Sequence, residues 1–171
     1  MCIRIMKNYI KPGQKLPVFG IGPYMMVTIG VIALIGIFIS GSLLESGIVD
    51  GIAVWIFRIV GIVLLILGII ILFSAVFRSN IINSIADNSL KTNGIYAWVR
   101  NPMYSGIWII LIGIVLMWHN LWLLLIIPIG WSIMTIVLKN TEEKWLKDLY
   151  GQHYEEYMKN VNRCIPWFPR K

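Results

Sequence analysis

Acid is scarce in this sequence. Eight aspartates and glutamates stand against fifteen lysines and arginines in 171 residues, and charged residues of both signs are only 13% of the chain. A soluble domain carries about 25%, so an ordinary water-facing surface is excluded. Cysteine and histidine are nearly missing. Cys2 and Cys164 lie in the two terminal segments, and neither His119 nor His153 has a partner at ligand spacing. A disulfide framework and a metal site are therefore not expected. The sequence also has no Walker-type phosphate loop, no G-x-G-x-x-G, no Ser-His-Asp set, no internal repeat and no low-complexity segment.

What is abundant is apolar: 58% of residues, in runs too long for a soluble core. The first run, Tyr24–Leu44, follows a segment with Arg4, Lys7, Lys11 and Lys15 and no acid. A cleavable signal has a shorter apolar region, so this reads as an uncleaved span with its basic flank in the cytoplasm. Glu45–Gly51 has two acids and no base, which suits the outer side. A second span runs from Ile52 to Phe77. Arg58 lies about two turns inside it and reads as snorkelling outward. Gly61 and Gly68 share a face of this span, where small residues let another helix approach closely.

Arg78–Arg100 returns to the cytoplasm, and Pro102–Leu138 is free of formal charge. His119-Asn120 divides that run into two arms of about 16 and 18 residues, each about 24–27 Å long at 1.5 Å per residue. This predicts a helical hairpin with Trp118 and Trp122 flanking its turn and Pro128 kinking its second arm. Lys139–Lys171 then carries seven bases and five acids. The Trp145/Leu149 and Leu146/Tyr150 spacings predict an amphipathic helix ended by Gly151, with a second short helix through about Val161. The fold class is all-α integral membrane: about four transmembrane helices including the hairpin, plus a cytoplasmic amphipathic C-terminal segment. The chain forms one domain, 1–171, with 1–22 a cytoplasmic N-terminal segment and 139–171 a cytoplasmic lid. Both termini are expected inside. The net charge of +7 lies beside apolar spans, so it fits anionic lipid and membrane orientation rather than nucleic acid.

The stretch N-S-L-K-T-N-G-I-Y-A-W-V-R-N-P-M-Y, Asn88–Tyr104, organises the rest. Pro102 fixes its own φ and keeps Asn101 out of the helical region, so a helix should start near Pro102 with Asn101 as its cap. The loop, the pair Glu142-Glu143 and the tail tyrosines Tyr150, Tyr154 and Tyr157 meet at one face of the membrane. One reading is an ion-paired connector. The other is a pocket in which a carboxylate holds an ammonium and aromatics stack on a base and tolerate a sulfonium.

G-I-Y-A-W-V-R-N-P-M-Y-S-G followed by E-E-K-W-L-K-D-L-Y-G-Q-H-Y-E-E-Y resembles the isoprenylcysteine carboxyl methyltransferase and phospholipid methyltransferase superfamily, over roughly Gly61 to Pro169. The resemblance implies a small membrane enzyme that uses S-adenosylmethionine to methylate a lipophilic, membrane-resident acceptor. By position it implies cofactor contacts from Asn88, Ser89, Leu90, Lys91, Gly94, Tyr96, Asn101, Pro102, Met103, Tyr104, Glu142 and Glu143, with Arg100, Asn101 and Tyr104 positioning the reactants. Glu142 is the matched acid. Glu143, about 100° further round the helix, is expected to point toward Arg100 or Lys91.

Two departures bear on the acceptor. Prenylcysteine enzymes tend to carry His where Asn88 and Asn101 stand, whereas phospholipid enzymes often show N-P-M-Y, as here. Leu138, with Lys139 beside it, occupies the place of an arginine that faces the prenylcysteine carboxylate. Carboxyl O-methylation of an isoprenylcysteine and lipid methylation, such as phosphatidylethanolamine N-methylation, both remain open. The alternatives are a nicotinamide-dependent reductase of the sterol-reductase type and a non-enzymatic membrane scaffold or transporter.

Overall fold

The computed structural model describes residues 20–79 and 89–168. Asn88, Cys2 and the basic segment before residue 20 lie outside the described residues. Helix α1 is Gly22–Ile39, α2 is Ala53–Phe73, α3 is Pro102–Met117 and α4 is Ile126–Asn140. Two short helices follow, α5 (Glu142–Tyr150) and α6 (Gln152–Asn160). Among the described residues there is no strand, only an isolated bridge between Ile48 and Asn120. Three helical stretches are long and apolar enough to cross a membrane, and α3, at 16 residues, is a shorter apolar helix.

The expected first span runs to Leu44, but α1 stops at Ile39. Ser40, Gly41 and Ser42 break the run, and the Ser40 hydroxyl donates to the Ile37 carbonyl at 2.7 Å. A serine that bonds the preceding turn offers the backbone an alternative to continuing the helix. The second span matches its expected reach, with its last turn widened into a π-turn over Ser74–Arg78. Pro128, where a kink is expected, lies near the head of the hairpin's second arm. A 3₁₀ segment, Leu121–Leu125, leads into α4, and Pro128 falls in the first α-helical turn, where its missing N–H is not needed.

Helices α2 and α3 form the most intimate pair. A Cβ on Gly61 would lie 2.7 Å from the Gly113 carbonyl oxygen, and one on Gly68 would lie 2.8 Å from that of Gly106. The reciprocal positions are as tight, 2.7 Å for Gly113 and 3.0 Å for Gly106. Two glycine notches, seven residues apart on both helices, thus let the backbones touch, as close packing in lipid requires. The rest of α2 faces outward: Ile56, Ile59, Ile66 and Ile70 are all exposed. Arg58 lies over the Trp55 ring, 5.8 Å from its centroid, near the helix start.

The main core joins α1 (Met25, Met26, Ile29), α3 (Trp108), α4 (Met134, Leu138) and the tail (Cys164). The hairpin turn is latched to the loop between α1 and α2 by a buried amide. Asn120 donates to the Leu44 carbonyl at 2.9 Å and accepts from the Trp122 N–H at 2.9 Å. The bundle therefore brings the start of α1, the loop before α3 and helices α5 and α6 to the end opposite this latch.

Candidate functional site

The loop before α3 is built against the tail. Leu90 packs on a cluster formed by Tyr154, Tyr157 and Val161. A 3₁₀ turn, Gly94–Ala97, then buries Tyr96, whose carbonyl accepts a 2.5 Å hydrogen bond from the Tyr157 hydroxyl. Arg100 N–H bonds the Asn162 carbonyl at 2.9 Å, Asn101 N–H bonds that of Arg163 at 3.1 Å, and Trp167 N–H bonds that of Trp98 at 3.0 Å. Burial pushes the Tyr96 and Tyr154 hydroxyls up to about 12. It does the same to the Cys164 thiol, so that cysteine is a small apolar group and not a nucleophile.

Asn101 holds the cap position of α3, but its side chain makes no cap bond. Its amide donates instead to the Arg163 carbonyl at 3.1 Å. The expected cap is thus replaced by a tie to the tail. Pro102 is buried in the first turn, and the Asn101 carbonyl accepts from the Ser105 hydroxyl at 2.9 Å.

The two neighbouring glutamates part company. Glu143 is 5% exposed and lies between two guanidinium groups. Arg163 grips it at 2.6 Å and 2.8 Å, and Arg100 approaches to 3.2 Å. This carboxylate raises the Arg163 pKa further. It fastens α5, the loop and the tail to one another, and Arg100, expected to position reactants, is held in that clasp. Both carboxylates figured as cofactor contacts. The structure commits Glu143 to Arg100 and Arg163, the former being one of its two expected targets.

Glu142 points the other way. Its Oε1 accepts the Tyr104 hydroxyl at 2.8 Å and the Gly22 N–H at 3.1 Å. Among the described residues it has no cationic partner. Gly20 and Gly22 enclose it: a Cβ on Gly20 would lie 2.3 Å from Glu142 Oε1, and one on Gly22 would lie 2.0 Å from the Tyr104 ring and hydroxyl. The sequence reading missed these two glycines. The G-I-G-P spacing at the head of a span was the available signal, because a lone glycine there needs no reason and a pair does.

The remaining expected residues divide. Tyr104, in the first turn of α3, contacts Glu142, and Tyr96 is buried in the 3₁₀ turn before that helix. Met103 is half-buried on the same helix turn. Lys91 and Gly94 instead line a separate cleft with Arg78. Ser89 adjoins Leu90 at the edge of the described residues, and Asn88 lies outside them.

Comparison with known proteins finds relatives of this sequence. The sequence profile of the family described as phospholipid methyltransferase matches residues 56–153. The protein-S-isoprenylcysteine O-methyltransferase of Schizosaccharomyces pombe is 37% identical over 84 residues, covering 48% of this chain and 35% of that protein. The enzyme of the same name in Dictyostelium discoideum is 33% identical over 84 residues, covering 47% and 34%. A probable protein-S-isoprenylcysteine O-methyltransferase of Oryza sativa subsp. indica is 29% identical over 127 residues, covering 66% and 63%. The chain thus spans about a third of the length of the first two relatives. No solved structure matches it significantly.

Proposed function

The chain belongs to the phospholipid methyltransferase family, and on that premise we propose that it transfers a methyl group from S-adenosylmethionine to a lipophilic acceptor resident in the membrane. The observation that carries the reading is the Glu142 carboxylate. It is partly buried, held by a phenol and a backbone N–H, and its charge is met by no cation among the described residues. A carboxylate in that position is costly unless paired, and the α-ammonium of the cofactor is a fitting partner. Glu143, whose charge two arginines already meet, is not.

Glu142 and Tyr104 would hold the amino-acid end of the cofactor, with Tyr96, Asn101, Pro102 and Met103 alongside. When bound, S-adenosylmethionine supplies a methyl group on a positive sulfur, which leaves as a neutral thioether once an acceptor lone pair takes the methyl. The donor is already activated, so the chain's part is to position and to exclude water. The tail over the loop, tied by Glu143, Tyr157 and the backbone bonds at Arg100 and Asn101, supplies both. The acceptor would be an isoprenylcysteine-type carboxylate or a lipid amine such as that of phosphatidylethanolamine. A carboxylate needs no general base at neutral pH; an amine must first lose its proton. The loop charges favour a cytoplasmic site with both termini inside.

The test is direct. Purified protein is incubated with methyl-labelled S-adenosylmethionine, total membrane lipid and a farnesylated cysteine peptide, and the organic extract is counted. Label in the extract, lost when α5 onward is deleted, supports the reading; an extract at the background of a protein-free control contradicts it.

A further inference from the structure

The end of the bundle opposite Glu142 holds a cavity of about 290 Å³. Its walls include Ser40 and Gly41, where α1 has ended, Arg58 of α2, and Trp118 and His119 of the hairpin turn. The stretches that build it, 40–58 and 117–119, lie wholly within the described residues. A Cβ on Gly41 would meet nothing within 4 Å, so the wall is open there.

Arg58 stands in the second turn of α2, about 7.5 Å along its axis at 1.5 Å per residue. A cation at that depth in a span marks a functional position more often than not. The acids of the neighbouring loop, Glu45 and Asp50, are exposed, and neither lines the cavity. Among the described residues neither pairs with Arg58, whereas Arg100 and Arg163 share Glu143 and Lys147 pairs with Glu155. The Trp55 ring beneath the guanidinium orients it without cancelling its charge. Snorkelling accounts for the reach of this side chain but not for what shares its cavity.

That neighbour is His119. Its backbone is left-handed, at φ 40, a conformation that Asn, Asp and His adopt more readily than other side chains. The turn uses it: the His119 N–H donates to the Leu116 carbonyl at 2.8 Å, and the His119 carbonyl accepts the Val49 N–H at 2.8 Å. Asn would serve that backbone as well. The imidazole adds a nitrogen, Nδ1, that is buried with no hydrogen-bond partner. Buried polar atoms are nearly always paired. The χ2 torsion of histidine is soft, so a modest rotation turns Nδ1 to the cavity, where it can donate to an anion that the guanidinium fork holds.

The surroundings say which anion. Trp55, Trp118 and Trp122 are exposed at this end, and such aromatics mark the headgroup level of a bilayer, where cations meet lipid phosphates. Below Arg58 on the same helix face, Ile62, Ile66 and Ile69 are exposed and offer an apolar track for acyl chains. We propose that Arg58 and His119 bind the phosphate diester of a membrane phospholipid that is not a reactant. This fixed lipid lies along α2 and braces it against the hairpin turn and the end of α1. The site stands at the opposite end from Glu142 and does not depend on the methyl-transfer reading.

The test is a titration of the full chain in neutral detergent with dihexanoyl phosphatidylglycerol, which carries neither an amine nor a prenylcysteine carboxylate and so cannot be either proposed acceptor. Phosphate-free dihexanoylglycerol and inorganic phosphate are the other two arms. Phosphatidylglycerol should raise the melting temperature of the parent, as a ligand of the folded state does. Its affinity should fall about tenfold in Arg58→Gln, less in Arg58→Lys, which keeps the charge and loses the fork, and measurably in His119→Asn, which keeps the left-handed turn. Dihexanoylglycerol should bind parent and Arg58→Gln alike, and inorganic phosphate should bind far more weakly than the lipid. Equal phosphatidylglycerol affinity in parent and Arg58→Gln overturns the proposal, as does an equal loss for dihexanoylglycerol. Inorganic phosphate binding as tightly as the lipid overturns the choice of a headgroup. Glu142→Gln should bind phosphatidylglycerol as the parent does; a loss there puts the lipid at the Glu142 end and overturns the proposal.

Discussion

The Tyr104 hydroxyl donates to Glu142 Oε1 at 2.8 Å, joining the first turn of α3 to the first turn of α5. The same oxygen accepts the Gly22 N–H at 3.1 Å, so three helix beginnings converge on one carboxylate. The arrangement depends on a missing side chain. Gly22→Ala would put a methyl 2.0 Å from the Tyr104 ring. The ring must move or α1 must lift, at a cost of about 1–3 kcal/mol. Gly30→Ala is the control, because nothing lies within 4 Å of its Cβ. Thermal melts and S-adenosylmethionine titrations of the two variants should show both losses in Gly22→Ala and neither in Gly30→Ala.

Glu143 predicts a different phenotype. Neutralising it in Glu143→Gln leaves Arg100 and Arg163 facing each other with the shared carboxylate gone. Breaking a buried ion pair from one side costs about 3–5 kcal/mol. Chemical denaturation in micelles should show that loss in Glu143→Gln and a much smaller one in Glu142→Gln.

The glycine notches between α2 and α3 make a prediction about coupling. Gly61→Ala and Gly68→Ala each press a methyl onto backbone, at 2.7 Å and 2.8 Å, and should each cost about 1–3 kcal/mol. Either one pushes the helices apart and relieves the other. The double variant should therefore cost less than the sum, the signature of a shared backbone shift. A strictly additive double variant would mean that each contact relaxes locally.

The membrane orientation proposed from loop charge can be read by thiol labelling. Cys2→Ser supplies the background, since Cys164 is buried. Ser46→Cys should react with an impermeant reagent in intact cells, and Ser89→Cys only after permeabilisation. The reverse pattern would invert the proposed sidedness.

Much of this architecture is legible in the residues. Pro102 and Gly151 mark helix boundaries because each dictates a backbone angle, and the structure starts α3 and ends α5 at those residues. Gly61 and Gly68 announce a close helix, although which helix cannot be read, because Gly106 and Gly113 acquire meaning only once the pairing exists. The two glutamates separate as the helical angle dictates. What the sequence conceals are contacts set by tertiary geometry. Arg163 stands in a tail with no periodicity, so nothing marks it as the partner of Glu143. Asn101 occupies a cap position, yet its amide is drawn to a tail carbonyl 62 residues away. Lys91 adjoins Leu90 in a motif read as one binding stretch, yet Leu90 packs on the tail tyrosines while Lys91 lines a cleft beside Arg78.

The measurement closest to the centre of the account is calorimetric titration of S-adenosylmethionine into the parent, Glu142→Gln and Tyr104→Phe. A partly shielded carboxylate–ammonium contact is worth about 1.5–3 kcal/mol. Glu142→Gln should therefore bind about tenfold to a hundredfold more weakly than the parent, with Tyr104→Phe weakened in the same direction by less. Parent-like affinity in Glu142→Gln would contradict the assignment and leave Glu142 as a structural tie between α1, α3 and α5.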